Sequence, residues 1–186
     1  MDGYKLWYLG SDRRRNVVGI LVDKELRGQV VEIKRVNDRL LTIKLVIGGY
    51  TLNVCSVYAP QVELDGEEKK QFWEALDEVV RGMPSFKKIV VRGDFNGHIR
   101  VVSGGYSDVH RGYGFGERND EEVALLDFAR AFGLVVVNSR FLKKEDHLVT
   151  FQSIIDKTQI DFLLLWKGDR VLCKDCKAIL GESLLT

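Results

Sequence analysis

The chain has 186 residues, enough for one domain with a real core, and its 45% apolar and 30% charged residues are ordinary for a soluble globular protein. A formal net charge of +1 excludes a global basic field, so a nucleic-acid partner has to be held by a local patch or a metal site. No apolar run approaches transmembrane length and the N-terminus has no signal-peptide layout, so the expectation is an intracellular protein, nuclear or cytoplasmic, neither secreted nor in a membrane.

Strand signals dominate the first third. Residues 5–9 form a short apolar run, and residues 16–24 centre on Val17, Val18, Ile20 and Val22. Residues 29–36 alternate at Val31 and Ile33, and Asn37-Asp38 makes a turn. Residues 40–47 place Leu41, Ile43, Leu45 and Ile47 on one face. Gly48-Gly49 turns the chain, and residues 50–58 run towards Pro60, which cannot donate to a ladder. The pattern is an antiparallel meander feeding a central strand. The period then changes: Phe72, Leu76, Val79, Val80 and Met83 fall at helical spacing, with Asp65 and Glu68 as a capping box and Pro84 as the stop. A strand at 89–94 follows, then a loop at 97–119 with six glycines and no period. A second helix spans about 120–132, with Gly133 as its C-cap. Strands are expected at 134–141, 148–153, 160–166 and 171–179.

The odd count of three cysteines, Cys55, Cys173 and Cys176, argues against a disulfide framework. Cys173 and Cys176 have the spacing of half a zinc site, but no second pair follows. All three are expected as reduced thiols.

The stretch most able to carry chemistry is Ile89-Val90-Val91-Arg92-Gly93-Asp94-Phe95-Asn96-Gly97-His98. A buried strand ends at Gly93, and Asp94 and Asn96 follow at the carboxyl end, where α/β folds place ligands. If the strand continued through Asn96, the two side chains would share a face and offer hard oxygens to Mg²⁺ and phosphate. The plainer reading is an Asx turn closing a strand.

Two more segments weigh against the plain reading: Val57-Tyr58-Ala59-Pro60, and Gln159-Ile160-Asp161 followed by Phe162 and three leucines. This ordered trio resembles the endonuclease/exonuclease/phosphatase family, which includes abasic-site endonucleases, deoxyribonuclease I and the endonuclease domains of LINE-type retrotransposons. The connecting stretches 115–119, 147–153 and 167–170 resemble a retrotransposon-derived branch, the craniofacial development protein 2-like proteins. The resemblance implies an α+β fold, a deoxyribonuclease I-like four-layer α/β/β/α sandwich, as a single partial domain over residues 1–186. It implies Mg²⁺- or Mn²⁺-dependent hydrolysis of DNA phosphodiesters. Asp94 would position or activate water and hold the metal, Asn96 would bind phosphate oxygens, and the Tyr58 hydroxyl would contact the scissile phosphate. Asp161 would orient a histidine further along the chain. Asn119 and Thr150 would lie near DNA, although Asn119 is equally a helix N-cap and Thr150 equally a strand former. Arg13, Arg14 and Arg15 form the most basic cluster and are the further candidates for phosphate contact, against the reading of a solvated turn. His98, His110 and His147 match no catalytic position of the family.

The chain also departs from the family pattern. Its start resembles the family just after the glutamate that is the main Mg²⁺ ligand, and its end precedes the motif carrying the catalytic histidine. The sandwich is therefore expected to be incomplete, lacking the first strand-helix-strand and the last strand. The expected consequences are impaired hydrolysis, and self-association or a partner chain over an exposed sheet edge. Two other outcomes remain open: a catalytically inactive relic that binds nucleic acid weakly, and a phosphatase of the same family.

Overall fold

A computed structural model describes residues 3–9, 18–83, 88–99, 104–114, 119–152 and 157–178. The chain divides into two units, Met1–Phe95 and Asn96–Thr186.

The first unit is built in layers. Strands β1 (Tyr4–Leu9) and β2 (Val18–Asp23) pair antiparallel. Asp23 then caps a single helical turn, α1 (Lys24–Arg27), its carboxylate accepting from the Glu25 amide at 2.9 Å. Strands β3 (Val30–Asn37), β4 (Leu40–Ile47) and β5 (Tyr50–Tyr58) form the meander expected from the turns. Gly48 and Gly49 take φ of 55° and 81°, which only glycine adopts freely, so the turn is fixed by its residues. Helix α2 (Gly66–Arg81) crosses over to β6 (Ile89–Asp94), which pairs parallel to β5. Asp65 is the N-cap, accepting from the Glu68 amide at 2.8 Å as the capping signal requires.

The alternation along β4 decides which layer each side chain meets. Ile43 and Leu45 join Val22 in a core that Trp7, Ile20 and Val54 enclose, so this face of the sheet takes the β1–β2 hairpin. On the opposite face Thr42 and Asn53 border Val79 and Met83 at the end of α2. Cys55, fully buried between Val57 and Asn53 on that face, is held as a thiol: burial alone pushes its pKa up to about 12. The expectation for β3 needs one correction. It is a strand, but Val31 and Ile33 are 58% and 40% exposed, because β3 has a neighbour on one side within this unit and the hairpin does not extend over it.

In the second unit, α3 (Asp120–Ala131) packs on β7 (Leu134–Val136), burying Leu125, Leu126, Val135 and Val136. Gly133 turns between them at φ 62°. A two-residue pair, β8 (Phe151–Gln152) and β9 (Lys157–Thr158), precedes β10 (Asp161–Trp166), which pairs antiparallel with β7. Three expected strands come out differently. That at 134–141 ends at Val136, where Val137 enters a 3₁₀ turn over Asn138–Arg140. That at 148–153 shrinks to Phe151–Gln152, with residue 153 outside the described residues. That at 171–179 is absent through residue 178: Arg170–Leu172 is a 3₁₀ turn, and Asp175 is drawn aside by an ion pair with Lys143. Cys173 and Cys176 therefore sit on irregular chain, both outside any disulfide and partly exposed. Among the described residues, no helix is long and apolar enough to cross a membrane.

Candidate active site

The parallel register of β5 and β6 sets Tyr58 beside Asp94 and, one rung earlier, Ser56 beside Arg92. Partners on a rung point to the same face, so the phenol and the carboxylate are neighbours at the carboxyl ends of two parallel strands. Gly93 makes this approach possible. A Cβ there would lie 1.8 Å from the Val57 carbonyl oxygen, so no other residue fits without separating the strands. The ladder continues one step further, the Ala59 amide donating to the Asp94 carbonyl at 2.8 Å. Phe95 is fully buried and stacks on Trp73 of α2 at 6.2 Å, which anchors the strand just past the carboxylate.

A third residue completes the rung. The Tyr58 amide donates to the Arg39 carbonyl at 3.0 Å, and the Arg39 guanidinium lies 5.5 Å from the centre of the Tyr58 ring. It also approaches the Tyr58 carbonyl at 3.5 Å and the Glu68 carboxylate at 3.7 Å. Cation, phenol and carboxylate thus line up across neighbouring segments: Arg39 in the turn before β4, Tyr58 at the end of β5 and Asp94 at the end of β6.

In the second unit, Asn96 takes φ 51°, so the extended geometry ends at Asp94 and the shared strand face expected for Asp94 and Asn96 does not occur. Asn119 holds this bend. Its side-chain Nδ2 donates to the Asn96 carbonyl at 2.9 Å, while its Oδ1 accepts from the His98 and Glu122 amides, each at 3.0 Å. One side chain therefore caps α3 and ties the loop after Asp94 to it. Gly97 lies close to the same helix start: a Cβ would meet the Glu121 and Glu122 backbone at 3.1 Å, a tight contact that a shift of a few tenths of an ångström would relieve.

Asp161 opens β10, and two side chains hold its backbone. Thr150 Oγ1 accepts from the Ile160 and Asp161 amides at 3.0 and 3.1 Å. Asn138 Nδ2 donates to the Asp161 carbonyl at 3.3 Å, and its Oδ1 accepts from the Leu163 amide at 2.7 Å. His110 is buried, its Nδ1 accepting from the Gly112 amide at 3.1 Å, and His147 lies in a 3₁₀ turn.

No family model matches the chain. Craniofacial development protein 2 from Bos taurus is 26% identical over 166 residues, covering 88% of this chain and 28% of that protein. The chain thus spans under a third of the length of the curated relatives it matches. Among solved structures, an AP endonuclease from Archaeoglobus fulgidus matches with a TM-score of 0.68 at 21% identity, over 96% of this chain and 72% of that one. The endonuclease domain of TRAS1, a telomere-specific non-LTR retrotransposon, matches with a TM-score of 0.64 at 13% identity, over 90% and 67%. The fold is that of the endonuclease/exonuclease/phosphatase family.

Within this endonuclease/exonuclease/phosphatase fold, Tyr58 and Asp94 end β5 and β6, Asp161 opens β10, Asn119 caps α3, Asn96 lies in the bend after β6 and Thr150 just precedes β8. Tyr58 and Asp94 share a rung; Asn96 and Asn119 share a hydrogen bond; Thr150 carries Asp161. Arg13, Arg14 and Arg15 lie outside the described residues. The sequence reading missed Arg39 and Asn138. Arg39 was within reach of it: counting back from the Gly48-Gly49 turn puts residue 39 opposite residue 58. Asn138 had no such signal, since its bonds to β10 depend on which strands neighbour each other. Among the described residues no three His, Cys, Asp or Glu side chains gather as a metal-binding group.

Proposed function

We propose that the chain carries a phosphodiester site of endonuclease type, descended from a retrotransposon enzyme and directed at DNA with Mg²⁺ or Mn²⁺ as cofactor. The observation that carries this reading is the rung that sets Tyr58 beside Asp94 at the ends of β5 and β6. In-line hydrolysis needs a water held by a base, donors on the phosphate oxygens, and positive charge near the developing phosphorane. Asp94 holds and deprotonates the water. The Tyr58 hydroxyl donates to a phosphate oxygen, and the family resemblance gives the Asn96 amide the role of a phosphate ligand. Asp161, its backbone fixed by Thr150 and Asn138 within the second unit, is by the family resemblance the carboxylate that would orient a catalytic imidazole. A divalent cation, when bound, supplies Lewis-acid stabilisation of the phosphate charge. Asp94 fits the hard-oxygen preference of Mg²⁺, which commonly takes one or two carboxylates and fills its sphere with water and phosphate.

A second reading is a module that binds nucleic acid without cleaving it; among the described residues the Tyr58 rung carries one carboxylate, Asp94, beside the Arg39 cation. A phosphatase acting on small esters has no observation in its favour. Nicking of supercoiled plasmid, with and without Mg²⁺, separates the first two readings. The hydrolytic reading expects Mg²⁺-dependent nicking that Asp94→Ala reduces by at least about a hundredfold, the scale for loss of a catalytic base. Folded protein that leaves the plasmid intact selects the binding module.

A further inference from the structure

Strand β6 contains one residue that its packing does not explain. Ile89 and Val91 are buried against the α2 side, as a central strand requires, but Arg92 is exposed. It lies on the face that carries Asp94, opposite Ser56 of β5. Among the described residues Arg92 enters no ion pair. Its guanidinium is therefore solvated and open to a ligand on that face.

Arg39 stands on the next rung of the same face. Its side chain is only 17% exposed and lies along the Tyr58 ring. Among the described residues its carboxylate partner is Glu68, 3.7 Å away and half exposed, a geometry that contributes little. Among the same residues the Arg39 nitrogens meet the Tyr58 carbonyl at 3.5 Å and the Glu68 carboxylate at 3.7 Å, which leaves further donors of the five-donor fork for a phosphate. Two residues along a strand advance about 7 Å, which a guanidinium stem spans. Arg39 and Arg92 thus flank Tyr58 from neighbouring rungs. Against two cations this face sets the Asp94 carboxylate, with Glu68 beside Arg39.

We propose that Arg39 and Arg92 form a metal-independent binding site for the phosphates of a single nucleic-acid strand, one phosphate on each guanidinium, with Tyr58 between them. The planar fork of arginine matches phosphate oxygens two at a time, which a lysine cannot do. The proposal rests on the reading of Tyr58 as the phosphate contact, but it requires neither hydrolysis nor a divalent ion.

The test is binding of a fluorescein-labelled oligothymidylate to the full chain in EDTA, followed by anisotropy across a series of salt concentrations. Binding is expected without metal. Arg39→Ala and Arg92→Ala should each weaken it roughly tenfold or more at moderate salt. Each should also make the slope of log K against log salt shallower by about 0.7, the value for one phosphate contact on a single strand. Arg39→Lys should keep the slope and lose affinity. Lys70→Ala, an exposed change on α2, should alter neither. Circular dichroism checks folding, and Arg92→Ser with Arg39→Lys carries the test if Arg39→Ala unfolds. Binding that appears only with Mg²⁺, slopes unchanged in both arginine variants, or an equal loss in Lys70→Ala would each overturn the proposal. Plasmid that stays intact leaves the isotherms in EDTA unaffected, so the two readings fail separately.

Discussion

Gly93 shows how tightly a single position governs the site. The Val57 carbonyl occupies the space a side chain would need, so β5 and β6 come close enough to align Tyr58 with Asp94 only because residue 93 has no Cβ. Gly93→Ala is expected to cost roughly 2 kcal/mol or more in urea unfolding, the range for overpacking a rigid interior. It should also weaken oligonucleotide binding in the fraction that still folds. A loss below about 0.5 kcal/mol would mean that the strands separate freely at that rung. This requirement was only half legible. The sequence marks Gly93 as the end of a strand, whereas the obstacle itself belongs to another strand and appears only with the register. Arg39 is the contrast: its place beside Tyr58 also follows from pairing, but from a register that the Gly48-Gly49 turn fixes and the sequence displays.

At the scale of elements, legibility tracked the strength of the local signal. Helix α2 begins at the expected cap because Asp65 can satisfy the Glu68 amide, and the β3–β5 meander was readable from its turns. The strands that failed did so where side chains took over backbone partners. Beyond Val136, Asn138 bonds sideways to β10, so the chain curls instead of extending. Beyond Leu172, Asp175 pairs with Lys143 and accepts from the Cys176 amide, which turns the chain away from an extended course. Asn119 is the element-scale joint of the second unit. Asn119→Ala removes the cap of α3 and the bonds to Asn96 and His98, and is expected to cost about 1–2 kcal/mol in urea unfolding. Asn119→Asp keeps the acceptor for Glu122 and His98 but loses the donor to Asn96, so it should restore most of the stability. If the two variants were equally destabilised, the cap would contribute little and the bond to Asn96 most.

At the scale of the whole molecule, the outer face of the β1–β2 hairpin stands out. Tyr4, Leu6, Tyr8 and Leu21 are all more than half exposed and share that face through the β1–β2 register. With a net charge of only +1, little long-range repulsion opposes contact between copies. Association that rises with concentration is the expected result in sedimentation velocity, relieved in a Leu6→Lys, Leu21→Lys double variant. A species that stays monomeric at high concentration before any substitution would refute this. The fold class was the most legible feature of all, because three short motifs in order identify it over nearly the full chain. Less legible was the division of the chain at Phe95–Asn96, which falls inside the most recognisable motif.

The left-handed backbone at Asn96 has an evolutionary corollary. Positive φ admits glycine freely and asparagine or aspartate at modest cost, and it penalises most other residues. Selection for folding alone therefore restricts position 96 to a few letters, and selection for chemistry narrows these to asparagine. A lineage that abandons hydrolysis can keep the signature for as long as it keeps the fold.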